Sequence, residues 1–302
     1  MRHGVTILTD VPWAQARPRW CAAEEMGFAH GWTYDHLTWE GLPDSAWAAA
    51  MPTLAAAATV TSRLRLATFV ATPNFRHPYP FLREIAAVDD ISGGRFIAGL
   101  GLGGDLDARL LGDPLPLRDR AARYEEFVRL LDRLLREDHV TAEGEWFTVR
   151  EVRTLPGPLR PRVPLALAGN GPKAVRLAAE LGDAWVTYGG RADTLEQWWL
   201  LVGELAERFA AAEAAAGRSG VARVLSMDSS PQFSLASPDV YEEMVGRAGE
   251  LGFTDVVCHW PRHSGPYAGS EEVLEEVAGR IDLGGAEPMW GADVPLSGGQ
   301  EQ

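Results

Sequence analysis

Lysine is nearly missing from this chain: Lys173 stands alone, so 27 of the 28 basic residues are arginine. Against 42 acidic residues they leave a net charge of −14, which excludes the basic face that nucleic acid rewards. No apolar run reaches the 18 or so residues of a membrane span, so no membrane association is expected. The first residues run straight into a strand pattern instead of a leader, and the cytoplasm is the expected compartment. There are two cysteines, Cys21 and Cys258. They lack metal or redox spacing and read as reduced thiols; no metal centre is expected.

What is present is a rhythm. Eight apolar runs of strand length alternate with helical patterns: "GVTILT", "HGWTYDH", "LRLATFVA", "RFIAGLGLG", "VPLALAG", "DAWVTYGG", "VARVLSMD" and "TDVVCHWP". Between them lie helical stretches such as "PYPFLREIAAVDDISGG" and "DRAARYEEFVRLLDRLLRED", with apolar residues at helical spacing. The helix before Gly27 is expected over 17–27, and Pro52 is expected to mark an early turn or kink in the next. Eight strand–helix units predict an α/β fold, a (β/α)8 TIM barrel; an open doubly wound sheet rarely needs so many. A single domain is expected over 1–283, with a hairpin inserted before the fifth strand at about 139–162. Residues 284–302 form an expected extension, poorly ordered.

In such a barrel the functional groups lie past the C-terminal ends of the strands. The second strand ends in Asp35 and His36 with Trp39 on its loop, the third in Thr72, Asn74, Arg76 and His77, and the fourth in Gly103, Gly104, Asp105 and Asp107. The fifth ends in Gly169, Asn170 and Gly171, the sixth in Tyr188, the seventh in Asp228, and the eighth in His259 and Trp260. Glycines at two of these ends let backbone approach a ligand. "GLGLGG" lacks both the spacing and the downstream acid of a dinucleotide fingerprint, so a Rossmann reading is rejected. It is either a loop needing left-handed glycines or a phosphate loop. Imidazole titrates near neutrality and suits proton transfer, which makes His36 a catalytic candidate. Trp39, Tyr188 and Trp260 are candidate walls of an apolar substrate pocket.

Four segments in order, "TYDHL", "TFVATPNFRHP", "VDDISGGRFIAGLGLGG" and "PLALAGNGPKAVRLAAELGDAWVTYGG", resemble the bacterial luciferase-like superfamily of flavin- and deazaflavin-dependent barrel oxidoreductases over about Val5 to Val257. The resemblance implies coenzyme F420, with FMN as the alternative. It gives Asp35 a contact with the deazaflavin ring and His36 the role of proton donor or acceptor. It implies a non-prolyl cis peptide near Phe69–Val70 behind the ring. Gly103, Gly104 and Gly169 to Gly171, with Thr72, would hold the cofactor, and Asp105 is nearest to the second acid of some relatives. The activity implied by the resemblance is hydride transfer between the deazaflavin and a small alcohol, imine or activated alkene. The alternatives are an FMN-dependent monooxygenase served by a separate reductase, and a non-catalytic flavin-binding barrel. A homodimer is expected. The lone lysine argues against the lysine-held sugar phosphate of one subgroup.

Overall fold

The computed structural model describes residues 1–155, 157–159, 161–284 and 290. Eight parallel strands close into a barrel: β1 (Arg2–Thr6), β2 (His30–Thr33), β3 (Arg65–Thr68), β4 (Phe96–Leu100), β7 (Leu165–Ala168), β8 (Ala184–Thr187), β9 (Ala222–Ser226) and β10 (Asp255–His259). The TIM-barrel reading holds. The inserted antiparallel hairpin pairs β5 (Val140–Glu143) with β6 (Thr148–Val152). Around the barrel run α1 (Trp13–Glu25), α2 (Ala50–Ala58), α3 (Pro78–Ile91), α5 (Leu117–Leu134), α6 (Pro172–Leu181), α7 (Leu195–Ala215), α8 (Pro238–Glu250) and α9 (Glu271–Arg280).

Helix starts follow local chemistry. Thr194 and Ser237 accept the backbone N–H of Gln197 and Val240 through their side chains, and Pro238 and Pro78 occupy first positions that need no donor. Pro52 is the third residue of α2, where its missing N–H costs no helical bond. The first helix departs from expectation. It begins at Trp13 and carries Pro18 inside it, so the proline is not its entry. A short helix, α4 (Asp105–Leu110), follows the fourth strand, where only a loop was expected.

Side chains alternate between the interior and the helix layer. Trp32, Ala67, Ile97, Ala166, Ala184, Val224 and Val257 belong to the inner cluster, whereas Val5, Leu66, Val256 and Cys258 join the larger core under the helices. A side chain at Gly4 would collide with His30 and Trp32, and one at Gly31 with Trp20 of α1. Glycine therefore makes room for one indole inside the wall and another outside it. Trp198 and Trp199 are buried in the helix layer. The extension falls outside the described residues except for Gly284 and Trp290, and Trp290 packs against the inner cluster. Among the described residues no helix is long and apolar enough to cross a membrane.

The barrel floor is polar. Asp255 accepts from Arg2 Nε and Nη2 at 2.8 and 2.7 Å and from Thr254 Oγ1 at 2.6 Å. His30 Nδ1 accepts from Trp32 Nε1, so His30 Nε2 carries the proton it donates to Asp255 at 3.1 Å. Burial pushes the Asp255 carboxyl up, but the hydrogen bonds from Arg2 and His30 outweigh it and hold the group well below the usual carboxylate range. His3, on the outer side of β1, meets Tyr241 at 2.9 Å, and burial above all lowers it to about 4.

Asp255→Asn removes the buried carboxylate on which Arg2 and His30 converge and is expected to lower stability by about 3–5 kcal/mol in urea denaturation. His3 binds its proton more weakly folded than unfolded. Its contribution is therefore present above pH 6.5 and lost as pH falls to about 4, a loss of about 3 kcal/mol. His3→Gln is expected to flatten the stability–pH curve across that window.

Candidate active site

Past the end of β2 the alternation continues. His30 and Trp32 point inward, and so do Tyr34 and His36, while Asp35 points out toward α3. His36 and Tyr34 line a cavity of about 350 Å³ at the barrel mouth together with Trp39, Phe69, Val70 and Val186. The Phe69–Val70 peptide is cis. A second, mostly apolar groove of about 670 Å³ runs between the loops after β4 and β7, along Gly103, Gly104, Gly169, Asn170 and Gly171. Val70, Ala168 and Tyr188 line both spaces, so mouth and groove adjoin.

His36 Nδ1 donates to Asp107 Oδ2 at 2.7 Å, and Asp107 Oδ1 accepts the Leu37 N–H at 2.9 Å. Asp107 is buried, at 1% exposure, whereas His36 is partly open. A carboxylate on Nδ1 fixes that nitrogen as the protonated one, leaving Nε2 as the atom available to a bound molecule. Asp107, to which the sequence alone assigned no role, is thus the partner of His36. Asp105 is not: it sits on the first turn of α4, pairs with Arg120 at 2.5 Å and is largely exposed. Two residues apart on a helix, the two carboxylates face different ways.

Asp35 is also displaced from the expected place. Its carboxylate receives Arg76 Nε at 2.7 Å and Nη2 at 2.9 Å and lines neither mouth nor groove. Arg76 is shared with Glu84 and stacks on Phe81, so it is an ion-pair residue, and His77 caps α3 by accepting the Tyr79 N–H. Thr72 lies behind the glycine loop, donating to Leu102 O and accepting the Asn74 N–H, where a side chain at Gly103 would strike it. Asn74 braces the same loop, donating to Gly104 O at 2.7 Å and accepting from Arg123 at 2.9 Å. Gly103 has φ +77, which favours glycine. At Gly104 and Gly171 an added side chain would meet no protein atom within 4 Å. Asn170 is tied to Thr187 and to Gly189 O.

Trp260 lines neither the mouth nor the groove. It is buried in the helix-side core and donates to Glu271 at 2.8 Å. The inward residue at that strand end is its neighbour His259. Asp228 Oδ2 accepts both the His259 N–H at 2.6 Å and Nδ1–H at 3.1 Å. That leaves His259 Nε2 to accept from the Tyr34 hydroxyl at 2.8 Å, and Tyr34 in turn meets the Tyr267 hydroxyl at 2.9 Å. Burial, then the neighbouring Tyr267, raises Tyr34 well above its ordinary value; burial pushes Tyr267 up to about 12. Both phenols stay protonated at neutral pH. Tyr267 stacks on His259 at 3.7 Å between ring centres and on Trp39 at 5.8 Å. Sequence reasoning missed Tyr34, His259 and Tyr267 as a unit; the parity of their strands was the available signal.

The model of the luciferase-like monooxygenase family matches residues 1–273. An F420-dependent glucose-6-phosphate dehydrogenase of Kineococcus radiotolerans is 30% identical over 283 residues, covering 87% of this chain and 82% of that protein. The same-named protein of Beutenbergia cavernae is 35% identical over 176 residues, and there the match spans 57% of this chain and only 52% of the relative. Among solved structures, an F420-dependent secondary alcohol dehydrogenase in complex with an F420–acetone adduct superposes with a TM-score of 0.77 at 18% identity, covering 93% of this chain and 99% of that one; at that identity the likeness is one of fold. The chain belongs to the luciferase-like monooxygenase family.

Tyr34→Phe strands the buried Nε2 of His259 without a donor. Its expected cost is about 1–3 kcal/mol in thermal or chemical unfolding.

Proposed function

We propose that this luciferase-like protein is an F420-dependent oxidoreductase. It transfers a hydride between the deazaflavin and a small organic substrate, an alcohol, imine or activated alkene, and His36 takes up or releases the accompanying proton. The observation that carries this reading is the His36–Asp107 pair on the wall of the mouth cavity. The relatives named as F420-dependent support the choice of cofactor. They are also named for glucose 6-phosphate, and that part is not carried over, because among the described residues the mouth cavity has no lysine or arginine in its wall.

The residues present fit an elongated molecule with a flat head. Mouth and groove adjoin, Val70 and Ala168 offer apolar surface where they meet, and Gly104 and Gly171 leave open space where any other residue would place a side chain. The backbone of Gly103, Gly104 and Gly169 to Gly171, with Asn170, would hold the ribityl–phosphate portion. When bound, the deazaflavin supplies the carbon that takes or gives the hydride. Asp107 holds the imidazole in one tautomer, so His36 Nε2 can accept a proton from a substrate hydroxyl or, in its charged form, return one. Asp35 orients Arg76 from behind the loop, and Thr72 braces the glycines. Trp39, Phe69 and Tyr188 keep water from the mouth.

The family's description as monooxygenases favours FMN as the second reading, since the same groove would take its ribityl phosphate. Anaerobic titration separates the two. F420 is expected to saturate the protein with quenching of its fluorescence, and tight FMN binding with no F420 affinity would overturn the proposal. His36→Ala is expected to reduce turnover about 10²- to 10⁴-fold while F420 binding persists. Full activity in that variant would remove His36 from the proton step.

A further inference from the structure

We infer that the substrate taken at the barrel mouth is an uncharged molecule with an apolar body and a polar function at one end, and that the site excludes phosphorylated and carboxylated compounds. The inference rests on reading the mouth as the reactive end of the site. The cavity there presents Tyr34, Trp39, Phe69 and Val186 as apolar wall, with His36, Ser226 and Ser229 among its polar groups. Among the described residues its lining contains no lysine, arginine, aspartate or glutamate. The one group able to gain charge, His36, already faces the Asp107 carboxylate. An anion bound inside would therefore be stripped of water and given no unshared counter-charge, a cost that apolar contact does not offset.

Three arginines close to the mouth are engaged in ion pairs. Arg76 is held by Asp35 and Glu84, Arg120 by Asp105, and Arg262 by Asp10. Lys173 lies along the groove and not at the mouth. Charge sharpens the selection. A hollow of about 380 Å³ shares His36 and Trp39 with the mouth and is lined also by Glu40, Asp105, Asp107 and Arg120. The chain's net charge of −14 lowers the local concentration of an anion around it. The wall itself is stiff: Trp39 stands edge-on to Tyr34 at 5.3 Å and to Trp47 at 6.4 Å and lies parallel to Tyr267. Stacked rings of this kind offer apolar area without rearranging. At about 350 Å³ the space is at the small end for ligand cavities.

The test is saturation-transfer NMR on the full chain, with and without F420, using cyclohexanol, 2-cyclohexen-1-one and glucose 6-phosphate as probes. The two neutral rings are expected to bind saturably and compete with each other, while glucose 6-phosphate neither binds nor displaces them. Ser229→Arg places a cation on the cavity wall and is expected to let glucose 6-phosphate displace the neutral probes at concentrations at least tenfold lower than in the unaltered chain. Three results would overturn the inference: glucose 6-phosphate binding the unaltered chain as well as the neutral rings, no saturable binding of either ring, or no gain in Ser229→Arg. The F420 titration is read separately. Ring binding without F420 binding sinks the cofactor reading and keeps this one, and F420 binding with displacement of the rings by glucose 6-phosphate does the reverse.

Discussion

The two-residue alternation of a barrel strand decides what this molecule can place at its mouth. Each strand sends every second side chain inward, and closure of the sheet leaves no edge at which that parity could slip. On β2 the inward series is His30, Trp32, Tyr34 and His36; on β10 it is Asp255, Val257 and His259. Both series carry groups that hydrogen-bond across the interior, at the floor and again at the mouth. The floor is thus the Arg2–Asp255–His30 assembly and the mouth the Tyr34–His259 contact, about two layers apart. Trp32 fills the space between them.

The mouth carries two imidazole–carboxylate pairs of different character. His36 with Asp107 is partly open and borders two cavities, which suits proton exchange with a ligand. His259 with Asp228 is fully enclosed and directs its second nitrogen at a phenol that stays neutral. The second pair holds Tyr34 in place, and Tyr34 touches both the ring of His36 and that of Trp39. Rigidity is thereby supplied from below to the residues that wall the cavity above.

Much of this was legible in the residues. Eight alternating runs gave the barrel, and the strand ends gave the site's address, because both depend on local periodicity. Individual roles failed wherever that periodicity was not followed one residue further. Asp35 and Trp260 are conspicuous, but each is out of phase with the inward series of its own strand and faces outward; Tyr34 and His259 are in phase and face in. Asp107 was hidden for another reason. It lies on a six-residue helix that no apolar repeat announces, and only the fold brings it 71 positions back to His36. Thr72 and Asn74 could not be told from ligand contacts because a loop's brace and a ligand's contact call for the same side chains.

The scarcity of lysine acquires a use once the groove is known. Lys173 is exposed and lies along that groove, so the chain's single lysine amine stands beside it. Amine-directed chemistry would attach a fluorophore or cross-linker at one known address on the side chains without any engineering. Shielding of that amine would report occupancy of the groove independently of whatever reaction takes place at the mouth.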